Sequence, residues 1–219
     1  MKRTFDLLFA LILLIIASPI LIVIMLAVYI ETGLNPIYVQ KRGITLEKGL
    51  FSIYKIRTMY QIPTSNNENN GITIKTGLDK FITPLGFWLR KTGVDEFAQL
   101  INIIKGDMSF VGPRPLAEND LRLFKALFPE DYKERGSISS KPGITGYWQI
   151  FGDRSAGTKN LVNLELYYES NKSILMDTFI LLETIPVILF AKHVDAIISK
   201  PMNYITDEKH NLIDERVSK

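Results

Sequence analysis

The sequence contains no cysteine and only two histidines, His193 and His210, in 219 residues. Disulfides and thiolate metal sites are thereby excluded, and the two histidines stand at no spacing that suits a shared metal ion. A cysteine-free chain fits a reducing compartment such as the cytoplasm. An excess of one charge is lacking too, since 26 Lys+Arg face 23 Asp+Glu for a formal charge of +3. That balance is too mild, and the cations too dispersed, to indicate a nucleic-acid partner. There are no internal repeats, and the one low-complexity tract is 64–71 (TSNNENNG), which has almost nothing to bury and reads as a mobile loop.

What the chain does have is apolar residues, 47% of the total, concentrated at the N-terminus. The 24 residues from Leu7 to Ile30 carry no charge, and at about 1.5 Å per residue they form roughly 36 Å of helix, enough to span a bilayer. The run is too long for a signal peptide. Two features argue against a simple crossing. Ser18-Pro19 sits mid-run, where proline removes a backbone donor and clashes with the preceding turn. Positive residues flank both ends, Lys2 and Arg3 before, Lys41, Arg42 and Lys48 after, so both ends favour the cytoplasm. A kinked single span and a re-entrant hairpin that breaks at Ser18-Pro19 are evenly matched on these features.

The remainder reads as α+β, a compact and mostly helical cytoplasmic domain over 33–219 behind a membrane segment over 1–32. Extended runs at 37–39 and 50–54 flank a hairpin at Gly43–Gly49. Val94, Phe97, Leu100, Ile101 and Ile104 recur at helical spacing up to Gly106. A second helix is expected from Leu116 to about Lys133, with Leu121, Phe124 and Leu127/Phe128 inside. Residues 141–158 read as an ordered loop carrying Trp148. The apolar stretch 174–190, interrupted by Asp177, Glu183 and Pro186, reads as an interfacial or core helix rather than a second span.

Chemistry concentrates in Arg90-Lys91-Thr92-Gly93-Val94-Asp95-Glu96. Thr92-x-x-Asp95 resembles a capping box, and acids in a first helical turn are favoured by the dipole, so helix capping alone explains them. The same dipole and free N–H groups would hold phosphate, with Arg90 adding a forked cation. A carboxylate that attacks a diphosphate must overcome like-charge repulsion, which requires cations from the protein, a divalent metal, or both. Lys55, Arg57 and Arg114 are candidates, Arg114 being held between Pro113 and Pro115, which limit the entropy lost on binding. Oxygen ligands from Asp95, Glu96 and phosphate suit Mg²⁺ rather than zinc.

Taken together, these segments resemble the small monotopic phosphoglycosyl transferases of the bacterial sugar transferase family. The resemblance rests on Lys2-Arg3-x-x-Asp6, Ser18-Pro19, Gln40-x-Arg42-Gly43 and Phe51-x-x-Tyr54-Lys55-x-Arg57-Thr58-Met59. It continues through Leu89-Arg90-Lys91-Thr92-x-x-Asp95-Glu96-x-x-Gln99-Leu100-x-Asn102, the block Lys105 to Pro115, and Lys141-Pro142-Gly143-Ile144-Thr145-Gly146. It implies a re-entrant membrane helix at the bacterial inner membrane with the catalytic domain on the cytoplasmic face. It also implies a ping-pong transfer from a UDP-sugar to undecaprenyl phosphate through a covalent Asp95 phosphosugar, with release of UMP. In that scheme Glu96 helps bind Mg²⁺, Pro113-Arg114-Pro115 is the nucleotide-side contact and Arg90 a phosphate clamp. Arg154 matches an arginine that follows a glycine in the family, although here Asp153 separates it from Gly152. Leu164-Glu165-x-Tyr167-Tyr168 carries Glu where the family usually has Asp. Re-entrant helices could pack through small residues into a homo-oligomer. A metal-dependent UDP-sugar hydrolase and a non-enzymatic membrane scaffold are the two alternatives; the sugar is not legible.

Overall fold

The computed structural model describes residues 2–61, 79–153 and 156–189; the expected loop 64–71 and Arg154 lie outside them. The first element is α1 (Lys2–Thr32), apolar enough and long enough to cross a membrane. Helix runs uninterrupted through Ser18-Pro19, where the sequence suggests a break, and Ser18 Oγ donates to Ile15 O at 2.8 Å. One face of α1 is buried, through Asp6, Ala10, Leu21, Ile24 and Val28, with Leu14 and Ala17 packed between them. The opposite face exposes Leu8, Ile12, Ile15, Val23 and Ile30. The first half packs on Ile103, Met108 and Phe110, the second on Ile56, Leu89 and Ala98.

Both ends of α1 are pinned by polar contacts to the same body. Lys2 Nζ reaches Val111 O at 3.1 Å and pairs with Asp177. Arg3 donates to the C-terminal carbonyls Ile103 O and Ile104 O, and Ser109 Oγ donates to Asp6 Oδ2 at 2.8 Å. At the far end Glu31 Oε1 accepts from Leu85 N at 3.3 Å. Lipid solvates apolar side chains as well as protein does, so in a membrane such polar pins hold a helix to its domain more firmly than apolar packing.

The expected hairpin is present as β1 (Ile37–Gly43) and β2 (Phe51–Ile56), antiparallel from Ile37↔Ile56 to Arg42↔Phe51. Further on come α2 (Pro84–Thr92), a 3-10 turn Val94–Gln99, α3 (Leu100–Lys105), β3 (Ser109–Val111) and β4 (Leu116–Ala117). Strand β4 adds to the free edge of β1, giving the order β2-β1-β4. The single helix expected over 116–133 is two helices, α4 (Glu118–Leu127) and α5 (Pro129–Arg135). Pro129 explains the break, since proline drives the preceding residue out of helical geometry and Phe128 sits at φ −135°, ψ 63°. The segment read as a loop carries β5 (Gly143–Thr145) and α6 (Tyr147–Phe151), followed by α7 (Gly157–Asn171) and α8 (Ile174–Leu189).

Strand β5 lies parallel to β3, pairing Ser109↔Gly143 and Val111↔Thr145. The contact is backbone on backbone. A Cβ on Gly112 would stand 2.1 Å from Lys141 O, and one on Gly143 would stand 2.2 Å from Gly112 N. Only glycine permits that approach, which draws Pro113-Arg114-Pro115 against the start of β5. Glu169 on α7 steadies the segment before it by accepting from Ser139 and Ser140. Burial raises the Glu169 carboxyl, but the Lys172, Ser139 and Ser140 hydrogen bonds outweigh it and hold the group down at about 2.

Candidate active site

Asp95 and Glu96 sit in the first turn of the 3-10 element, and Thr92 does not cap it. Thr92 Oγ1 bonds back to Trp88 O at 2.9 Å and Leu89 O at 3.1 Å as the last residue of α2. Gly93 at φ 72° ends α2 and starts the next turn, with no side-chain cap. This left-handed residue, cheap only for glycine, corrects the capping-box expectation: the acids are aimed by a sharp backbone reversal between two helical pieces.

Both carboxylates are buried, Asp95 3% and Glu96 7% exposed. Buried charges need partners, and β2 supplies one. Lys55 Nζ lies 2.6 Å from Glu96 Oε1 and 3.8 Å from Asp95 Oδ2. Asn102 on α3 fixes β2 for this role, since Tyr54 N donates to its Oδ1 at 3.1 Å and its Nδ2 donates to Ser52 O at 2.7 Å. A diphosphate arriving beside two carboxylates requires cations to offset the like charge.

The adjoining cleft supplies them. It is lined by Lys55, Glu96, Arg42, Arg114, Pro115 and Gln149, with Ile53, Gln99, Gly143 and Ile144 completing the wall. Asp95 does not line it, so the folded site presents Glu96 and Lys55 to the cleft and keeps Asp95 inside. Arg42 Nη1 donates to Pro115 O at 3.2 Å. The Gln149 amide is buried at both polar atoms, with no hydrogen-bond partner among the described residues, and it offers one donor and one acceptor to a bound molecule. Asp95 and Glu96 carry oxygen donors of the kind that would suit Mg²⁺ with phosphate oxygens completing its shell. Among the described residues no group of three or more metal-ligating side chains exists.

The structure thus brings together Lys55, Asp95, Glu96, Arg114 and Pro115. Pro113 holds the backbone behind Arg114 by accepting from Gly143 N at 3.0 Å. Arg90, on α2, donates from Nε to Thr58 Oγ1 at 2.7 Å. Arg57 is not brought in, since its Nε donates to Asn35 O at 2.7 Å and its guanidinium lies over the Tyr38 ring. It falls past the end of β2, where the chain turns away. Arg42, absent from the expected site, was visible only as a member of a quoted motif, and Gln149 lay in the segment read as a loop.

A family model described as bacterial sugar transferase matches residues 1–191. An exopolysaccharide production protein ExoY of Sinorhizobium fredii is 34% identical over 202 residues, covering 87% of this chain and 86% of that protein. An undecaprenyl-phosphate galactose phosphotransferase of Salmonella typhimurium is 34% identical over 86% of this chain and 40% of its own length. An undecaprenyl-phosphate glucose phosphotransferase of Komagataeibacter xylinus is 31% identical over 88% of this chain and 36% of its own length.

Proposed function

The chain belongs to the bacterial sugar transferase family, and from that premise we propose that it transfers a phosphosugar from a UDP-sugar to undecaprenyl phosphate, an early membrane step of exopolysaccharide or capsule assembly. The observation that carries this reading is the buried Asp95–Glu96 pair held by Lys55 beside a cleft lined with Arg42 and Arg114. Relatives named as undecaprenyl-phosphate sugar phosphotransferases support it.

In the first step an Asp95 carboxylate oxygen attacks the sugar-linked phosphorus. A P–O bond forms to Asp95, and the bond to the bridging oxygen breaks, so UMP leaves with the electron pair. In the second step a phosphate oxygen of undecaprenyl phosphate attacks the same phosphorus. The Asp95–O–P bond breaks, which restores the carboxylate and yields undecaprenyl diphosphosugar. Both leaving groups depart as stable anions, so neither step demands a proton. Two half-reactions at one phosphorus replace a direct reaction between two large anions. Arg42, Arg114 and Lys55 offset the charge of the diphosphate, the term on which phosphoryl transfer most depends. Attack requires Asp95 to reach the cleft, so donor binding opens the Lys55–Glu96 contact, drawing Lys55 toward phosphate. Mg²⁺, held through Glu96, would supply charge neutralisation of the diphosphate when bound.

On this reading α1 lies along its domain at the cytoplasmic face of the inner membrane, with its exposed apolar face toward lipid and no break at Ser18-Pro19. Support comes from its two pinned ends. A straight helix of 31 residues would be about 46 Å long, and a bilayer-crossing one would carry one end far from the domain, whereas Asp6 and Glu31 both bond to it.

Incubating the purified chain with Mg²⁺ and a panel of UDP-sugars, with and without undecaprenyl phosphate, tests the reaction. The expected products are UMP and a lipid-linked diphosphosugar, with turnover that depends on the lipid. UDP as product would show transfer of the sugar alone and would contradict the scheme. Continuous UMP release without lipid would show a hydrolase.

A further inference from the structure

Arg135, at the end of α5, and Glu165, in the middle of α7, form an ion pair at 2.7 Å with side chains 0% and 1% exposed. Neither lines the cleft. Burying such a pair costs desolvation free energy on both groups, so it is weak as a stabilising device, and its placement has to be sought in what it holds. What it holds is the backbone of Arg114. Glu165 Oε1 accepts from Arg114 N at 2.8 Å, and Arg135 Nη2 donates to Arg114 O. Arg135 Nε and Nη2 bind Glu165 side-on, at 2.7 Å to Oε2 and 3.2 Å to Oε1, while Nη1 donates to Ile44 O just past β1.

Pro113 and Pro115 have no N–H and fixed φ, so the tripeptide has one backbone donor and its conformational freedom is concentrated in Arg114. That donor is taken by Glu165. Its three carbonyls are taken as well, Pro113 O by Gly143 N at 3.0 Å, Arg114 O by Arg135 and Pro115 O by Arg42 at 3.2 Å. The pair is neutral as a whole and adds no net charge to the cleft. We infer that Arg135 and Glu165 are positioning residues that fix the peptide groups on either side of Arg114 and thereby hold its guanidinium toward the donor diphosphate. The inference rests on the reading of Arg114 as a donor contact.

A double-mutant cycle separates positioning from plain support of the fold. The variants are Glu165→Gln, Arg135→Lys, Arg114→Ala and the combinations with Arg114→Ala, assayed as full-length enzyme in one detergent with a UDP-sugar and undecaprenyl phosphate. Glu165→Gln keeps an acceptor for Arg114 N but loses the charge, and Arg135→Lys keeps the charge but loses the fork. Each is expected to raise the donor KM about tenfold, the scale of one charge-assisted contact, while the lipid KM stays within twofold. In the Arg114→Ala background the same substitutions change the donor KM less than twofold. Should the single substitutions prevent folding, Arg135→Met/Glu165→Leu removes both buried charges together, a change the fold tolerates better, and it is expected to show the same donor KM rise. Effects that simply multiply with Arg114→Ala, or a loss of folded protein at unchanged donor KM, overturn the inference. Arg114→Ala with an unchanged donor KM instead overturns the reading of Arg114 itself, and the inference with it.

Discussion

Replacing Asp95 by asparagine is expected to lower lipid-linked product formation by on the order of 10⁴-fold or more, the scale seen when an attacking group is removed. The amide oxygen is close in shape to the carboxylate but is a poor nucleophile and carries no charge. The fold should persist, because the Lys55–Glu96 contact at 2.6 Å is the closer of the two and survives. Removing one of two adjacent buried carboxylates also relieves like-charge repulsion. Thermal stability is therefore expected to stay level or rise while turnover disappears, a combination that a purely helix-capping Asp95 would not produce. Turnover and Tm measured on the same preparation give the comparison, and an active Asp95→Asn enzyme would mean that Asp95 serves the fold and not the chemistry.

Lys55→Met is expected to damage both stability and catalysis. Lys55 Nζ lies within 4 Å of both acids and its side chain is 11% exposed, so its loss leaves two buried carboxylates without their shared ammonium. Breaking a buried pair from one side costs about 3–5 kcal/mol, which for a chain of this size lowers Tm by roughly 10 °C. Adding Glu96→Gln to Lys55→Met removes one of the two buried carboxylates and is expected to recover much of the stability. It should recover none of the activity, because the cation facing the diphosphate is still missing. Unfolding midpoints and donor kcat/KM for the single and double variants provide the check. A Lys55→Met enzyme with parental Tm would show that Lys55 is not what holds the acids in place.

Local patterns carried much of this molecule into its sequence. The β1–β2 hairpin was legible from two extended runs around Gly43–Gly49, and the end of α3 from Gly106, which sits at φ 93°. Asp95, Glu96, Lys55 and Arg114 were singled out by residue type and motif, and the fold brings them near one another. The turn at Asp95 was not, because Thr92 can cap forward or bond backward, and the left-handed Gly93 that ends α2 sets which. The parallel β3–β5 pair joins segments more than thirty residues apart, Ser109 and Gly143, and shows locally only as glycines, whose close approach is a tertiary fact. Arg57 matched a motif yet lies against Asn35 and Tyr38, since alternation along β2 ends at Ile56. Arg135 and Glu165 are thirty residues apart on different helices. A buried arginine looks, in sequence, like any solvated one in Lys133-Glu134-Arg135.

Covalent capture at Asp95 is the centre of the account, and intact-mass spectrometry of the chain incubated with a UDP-sugar and Mg²⁺ but no undecaprenyl phosphate tests it most directly. The predicted result is a mass increase equal to one phosphosugar, mapped by peptide analysis to Asp95, absent from Asp95→Asn, and discharged when undecaprenyl phosphate is added. Product formation by the wild-type chain with no such adduct under rapid-quench trapping, or an adduct that persists in Asp95→Asn, would contradict it.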